Sequence, residues 1–394
     1  VPSDRSLLTF IFISVFLFTV SAAAVSVTTL FFPVVLSMVS IIMAIIFVNP
    51  FVYAALFIQI CAVVCVFMIA DHIYSDVAGA LRYLSFTSIG VPFILMAGWQ
   101  LEMYQVSPDD NQLLLQASWM LGVGVLILLA VAPFHSWIPI VARSAPPVVA
   151  AFVIAVVQAA MFFFLIDMLF QYDWLRSNMQ FFLALRVSGM LMIVTGGLFV
   201  FAQRSFGGLM GYSALIDWGC TLVALGLGSP HSVGIAAMII CTRVIALIVW
   251  GIGAGIIYNN NESTDNVRLF IQKNPFATIS MIVGGLSLAA MPLTSGFPGR
   301  WALLQMLADK HPSYAIVLLI SGMCALIGYI RMIAQMIDLT KIIDGETYRT
   351  TSESLGTICL SVLLVLTSII FGLVPQWLYP KAASMFEHLA SILT

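Results

Sequence analysis

The 394 residues predict an all-α fold, a polytopic transmembrane helical bundle of about twelve spans, two of them broken. Three observations lead there. Hydrophobic residues make up 62% of the chain and charged ones 8%, and the mean hydropathy is +1.10, whereas a soluble domain is about a quarter charged. Apolar runs long enough to cross a bilayer recur along the whole length. Two of these runs meet a proline at matching places, Pro133 and Pro292.

Spans are expected near 6–28, 30–48, 51–70, 82–101, 112–133, 147–170, 180–203, 208–227, 232–258, 274–294, 312–337 and 354–374. Residues 1–374 then form one transmembrane domain. The first run has two readings. Arg5 and the small residues Ala22-Ala23-Ala24 would suit a cleaved signal, but Ser21 to Pro33 continues small and apolar with no polar segment behind it, so it is kept as a helix. The tail, 375–394, sets Trp377, Leu378 and Tyr379 beside Lys381 and continues with Met385, Leu389 and Ile392, the composition of an interfacial helix.

Lysine and arginine in the short loops set the orientation. With both ends on one side, that side carries Arg5, Arg176, Arg300, Lys310 and Lys381, and the other Arg82, Arg143, Arg204, Arg268, Lys273, Lys341 and Arg349. The balance places the ends outside the cytoplasm and the polar loops 259–273 and 338–353 inside it. A net charge of -2 offers no basic face for nucleic acid. Cys61, Cys65, Cys220, Cys241, Cys324 and Cys359 lie in apolar runs with no C-x-x-C pair or companion histidines, and read as small core residues. Nothing has the pattern of a nucleotide loop, a metal cluster, haem ligands or a nucleophile triad, so no cofactor, metal or catalytic residue is expected.

The stretch Leu126 to Pro147 is where the chemistry concentrates: LILLAVAPFHSWIPIVARSAPP. Proline removes a backbone donor and disturbs the turn before it, which frees polar groups. In hydrocarbon such backbone survives only where protein buries it or where it lines a watery cavity. Leu288-Ala289-x-x-Pro292 repeats Leu129-Ala130-x-x-Pro133. Interrupted helices in corresponding halves mark the conducting path of inverted-repeat transporters.

Ala132-Pro133-Phe134-His135-Ser136-Trp137-Ile138-Pro139, Ala145-Pro146-Pro147-Val148, Gly211-Tyr212-Ser213 leading to Gly219, and Pro292-Leu293-Thr294-Ser295-Gly296-Phe297-Pro298-Gly299-Arg300 follow one another in that order. In these landmarks, over about residues 30 to 375, the chain resembles the proton-conducting antiporter-like subunits of respiratory complex I and of multi-subunit monovalent cation/proton antiporters. The basic residue after Gly299 resembles the smaller complex I type nearest the quinone end. The family has more spans than are counted here, which implies that one or two opening spans are not in this chain.

The resemblance implies a mid-membrane relay of a glutamate, two lysines and a further basic or acidic group, in which a carboxylate tunes a desolvated lysine. Residue by residue, the early glutamate falls on Gln59, the lysine of the first broken helix on Leu128 and the next lysine on Gln158. The group after the tyrosine-serine landmark falls on Asp217, and the last basic position is kept as Arg300. Glutamine bonds water but has no proton equilibrium near neutral pH, and leucine does neither.

The candidate path residues are therefore His135, Asp217, Arg243, Arg300, Gln59 and Gln158. Asp217 and Arg243 lie mid-span in successive helices and are expected to pair, either as a fixed ion pair or with Asp217 still titrating where water reaches it. His135 reads either as a proton gate or as a cap for freed carbonyls. Three functions fit: a non-catalytic membrane-arm subunit of a complex I-type NADH/quinone oxidoreductase with a degenerate relay; a subunit of a cation/proton antiporter with Asp217 as its ion site; or a non-conducting scaffold. The expected partners are other membrane subunits and the lipid bilayer, with quinone reached only through neighbours. The expected setting is a bacterial cell membrane or an organellar inner membrane.

Overall fold

A computed structural model of the chain describes residues 2–70, 77–107, 110–259, 274–340 and 354–392. Residues 260–273 and 341–353, with Arg268, Lys273, Lys341 and Arg349, four of the seven cations on which the expected cytoplasmic side rests, lie outside the described residues. Arg300, counted on the other side as a loop cation, is instead buried within the helix Gly296–Lys310.

Every expected span is helical at its centre. In chain order these are α1 Pro2–Val25, α2 Phe31–Phe47, α3 Val52–Ile69, α4 Ala78–Val106, α5 Asn111–Leu128, α6 Trp137–Ser144 and α7 Pro147–Gln171. They continue with α8 Met179–Ala202, α9 Phe206–Gly226, α10 Pro230–Asn259, α11 Pro275–Leu288, α12 Gly296–Lys310, α13 Pro312–Thr340 and α14 Leu355–Leu373. Among the described residues, nine helices are long and apolar enough to cross a membrane, and α2, α5 and α11 are shorter apolar helices. The chain is a multi-pass integral membrane protein.

Local chemistry sets the helix starts. Proline opens α7, α10, α11 and α13, where its missing N–H is no loss. Side chains of Asp110, Asn178, Ser205 and Ser354 accept from the first free N–H groups of α5, α8, α9 and α14.

Three helices form the interior. The apolar stretches of α7, α9 and α10 are 94% buried, against 22% for α14 and 33% for α13, so the first three are wrapped by the rest. In α9, glycine permits the close approach. A Cβ on Gly219 would lie 2.6 Å from the Gly189 carbonyl of α8, and one on Gly207 would lie 2.1 Å from the Ala142 carbonyl of α6. α1 packs as a true member of the bundle, with Phe18 fully buried and edge-on to Phe152 at 5.5 Å.

Both breaks are present, and each differs from expectation in one respect. α5 and α11 stop at Leu128 and Leu288, well before their prolines. Ala130 (φ 56°) and Ala290 (φ 57°) take the left-handed conformation that ends a helix. Val131 N–H then donates to the Leu126 carbonyl and Ala130 N–H to Ile127, while Met291 and Ala290 donate in the same way to Leu286 and Ser287. Each run is therefore closed by its own reversed turn, and proline follows the turn instead of making it. The backbone thus aligns Leu128 with Leu288, one residue off the register of the repeated Leu-Ala-x-x-Pro.

The tail is several short elements, Pro375–Trp377, Tyr379–Ala383, Ser384–Phe386 and Glu387–Ile392, not one continuous helix. Phe386 packs on Phe162 and Phe163 at 6.1 and 5.8 Å, and Ser384 Oγ donates to Ser6 Oγ at 3.0 Å. Pro375 and Pro380 account for the first two boundaries, after Leu373 and after Trp377, since neither can continue a preceding helix.

Candidate functional site

A helix that stops inside a bundle leaves carbonyls without donors. At the first break the Leu129 carbonyl accepts from Trp218 Nε1 at 2.9 Å and from Gln158 Nε2 at 3.4 Å. At the second the Leu288 carbonyl accepts from an Arg300 Nη2 donor. Gly296 lets the chain turn back tightly there, because a Cβ would lie 2.0 Å from the Ser287 carbonyl. Ser287, Ser295 and Ser368 interlink their hydroxyls around the same turn, at 2.9 and 3.2 Å.

Adjacent residues of α9 serve the two breaks. Trp218 bonds the first, and Asp217 accepts from Arg300 Nε at 2.8 Å, the same arginine that caps the second. Both charged side chains are about 95% buried. The expected Asp217–Arg243 pair is thereby corrected: Asp217 is paired with Arg300. Spacing along separate helices could not distinguish two arginines that both reach one carboxylate, and Arg243 acts on Asp217 only through space.

Arg243 instead turns toward α7. Its Nη2 donates to Gln158 Oε1 at 2.7 Å and to the Ile154 carbonyl at 2.9 Å, and its guanidinium stands 4.6 Å above the Trp218 ring. The backbone explains the second bond. Val153–Val157 is a π-turn in which the Gln158 N–H reaches the Val153 carbonyl, so Ile154 loses its usual α-helical donor and Arg243 supplies one.

Leu128 and Gln158, the two places where the resemblance puts lysines, line one small cavity of ≈ 10 Å³, about the room of one water, with Tyr83, Thr87 and Trp137. The structure brings these positions together but gives them no titrating group. Gln59 stands apart: its Nε2 donates to Ser88 Oγ at 2.8 Å, and no bond among the described residues joins it to Gln158. His135 lies half-buried in the turn Phe134–Ser136, and its Nδ1 has no hydrogen-bond partner among the described residues. The freed carbonyl it was expected to cap belongs to Trp218 and Gln158.

Two polar chains result, one from the Leu129 carbonyl through Gln158 to Arg243 and one from Asp217 through Arg300 to the Leu288 carbonyl; the Trp218 side chain contacts the first, and its neighbour Asp217 belongs to the second. Arg243 Nε and Arg300 Nη1 are buried along them without a partner among the described residues, and the Ser213 and Tyr329 hydroxyls face each other beside them. The sequence reading missed Trp218, Tyr83 and the Ile154 carbonyl. Trp218 carried a signal: an indole N–H deep in an apolar span must find an acceptor.

Residues 100–327, more than half of the chain, match the profile of the NADH:quinone oxidoreductase/Mrp antiporter transmembrane family. The chain belongs to that family. NADH-quinone oxidoreductase subunit N 2 of Acidobacterium capsulatum is 25% identical over 78% of this chain and 66% of its own length. Two further bacterial relatives of the same type are covered over 53% and 48%, so the chain spans about half to two thirds of the curated relatives it matches. A chain of respiratory complex I from Thermus thermophilus superposes with a TM-score of 0.77 at 17% identity, covering 99% of this chain and 85% of that one. A chain of the Mrp complex from Dietzia sp. gives 0.76 at 14% identity, covering 98% and 84%. At these identities the structural likeness is one of fold.

Proposed function

We propose that this chain is an antiporter-like membrane-arm subunit of a multi-subunit, complex I-type quinone oxidoreductase, one that keeps the family's broken-helix scaffold and moves few or no protons of its own. The observation that carries the reading is the exchange along the two polar chains. The positions that the resemblance assigns to lysine are Leu128 and Gln158, and the charged groups that remain are permanent or paired. Guanidinium stays protonated at any accessible pH, so Arg243 and Arg300 serve as fixed charges where a relay needs exchangeable ones.

The antiporter alternative puts an ion on Asp217. Its carboxylate already holds Arg300 at 2.8 Å, which supports the oxidoreductase reading over that one. No residue of this chain is proposed to bind quinone. Redox energy would reach it through neighbouring subunits across its lateral faces, and the tail would lie at the membrane surface with Trp377 and Lys381 outward.

Co-purification in a mild detergent, followed by mass identification, tests the assignment. Iron-sulfur and quinone-site subunits travelling with the chain are the expected result. A set made only of cation-antiporter subunits would overturn it.

A further inference from the structure

The buried charges do not balance. Among the described residues the buried ionic side chains are Asp217, Arg243 and Arg300, two guanidiniums against one carboxylate. Arg300 is matched by Asp217. In direct contact Arg243 meets only neutral partners, the Ile154 carbonyl, the Gln158 amide oxygen and the Trp218 ring, and it shares Asp217 with Arg300 only through space, which leaves a net positive charge. The half-helix dipoles do not correct this. Each break presents a carbonyl end, at α5 or α11, and the amide end of the helix that follows, at α6 or α12, so the two largely offset each other.

We propose that this uncompensated guanidinium makes the subunit a barrier to protons and other cations, a stopper built on a conducting scaffold. The unpartnered Arg243 Nε and Arg300 Nη1 call for water, because buried polar atoms without protein partners are ordinarily hydrated. A hydrated line across a membrane leaks protons unless a barrier stops them. A fixed positive charge beside a narrow water path supplies one by raising the energy of any cation that shares the path. The gain for an ion-moving assembly is direct: a lateral scaffold subunit that has lost its relay must not short-circuit the gradient its neighbours build.

The inference rests on the reading above only in placing the chain in an ion-moving assembly. Partner identification tests that placement, and a leak measurement tests the barrier, so the two can fail separately. The assembly with which the full chain purifies is reconstituted into liposomes of neutral lipid containing a pH-sensitive dye, and passive proton uptake is driven by a potassium diffusion potential. Wild type is expected to be as tight as empty liposomes. Arg243→Gln, which removes the charge and keeps donors, is expected to raise the flux on the order of tenfold, the weight of one unit charge about 10 Å away at an effective dielectric of about 20. Arg243→Lys keeps the charge and is expected to stay tight. Leu128→Glu sets a compensating carboxylate on the cavity wall shared with Gln158 and is expected to leak; it decides the matter if Arg243→Gln does not assemble. An assembled Arg243→Gln that stays tight overturns the proposal. So does an Arg243→Lys that leaks as much as Arg243→Gln, or a tight Leu128→Glu where that variant decides.

Discussion

Removing one member of the Asp217–Arg300 pair should cost far more than removing both. The atoms are 2.8 Å apart and each side chain is about 95% buried, so solvent screening is slight. With charge centres about 4 Å apart and an effective dielectric of about 20, the attraction is roughly 4 kcal/mol, comparable to the desolvation penalty the pair carries. Arg300→Met leaves the buried Asp217 carboxyl with no counter-charge in contact and strips the Leu288 carbonyl of its donor, a loss of about 3–5 kcal/mol. Asp217→Leu leaves Arg300 with that carbonyl alone and should cost a similar amount. The double variant removes the desolvation penalty together with the attraction, and should return to within about 2 kcal/mol of wild type. The assay is unfolding of the purified full chain in mixed detergent micelles, read as a double-mutant cycle. A coupling of about 3 kcal/mol or more is expected. Losses that simply add would show that the two side chains do not act as a pair, and the link between α9 and the second break would go with them.

Three further outcomes follow from single contacts. Trp218→Phe keeps the ring that faces Phe162 but deletes the donor to the Leu129 carbonyl; a stability loss of about 1–3 kcal/mol in the same micelle assay is expected, with Trp218→His recovering part of it. Gly296→Ala forces a Cβ against the Ser287 carbonyl, and the second break should lose about 1–3 kcal/mol or more, seen as lowered Tm of the full chain. Gly219→Val pushes α9 off α8 at Gly189, so a cysteine pair placed across those helices should cross-link in wild type and not in the variant.

The helices were legible because apolar length alone writes them, and the two interruptions were legible because proline marks them. The way each break closes was not. Alanine at 130 and 290 takes a conformation for which glycine is the usual signal, so nothing in the letters announced it. The same ambiguity shifted the repeat by one residue: the prolines invite alignment, but the turn ahead of each sets the register. In the site, the identity of the charged residues was readable and their partners were not. Sequence places Asp217, Arg243 and Arg300 on three helices and says nothing of how those helices are rotated against one another. Gly207 and Gly219 fix that rotation through contacts with α6 and α8. The π-turn at 153–157, in an apolar run with no break signal, aims Gln158 at Arg243 and could not have been foreseen from composition.

Proton pumping per electron pair, measured in vesicles carrying the Asp217→Leu/Arg300→Met assembly, tests the central claim most directly. With both charges gone and the assembly intact, the scaffold reading predicts a stoichiometry equal to wild type. A stoichiometry that falls while electron transfer and subunit content stay normal would mean that protons pass through this chain, and that its relay is altered, not lost.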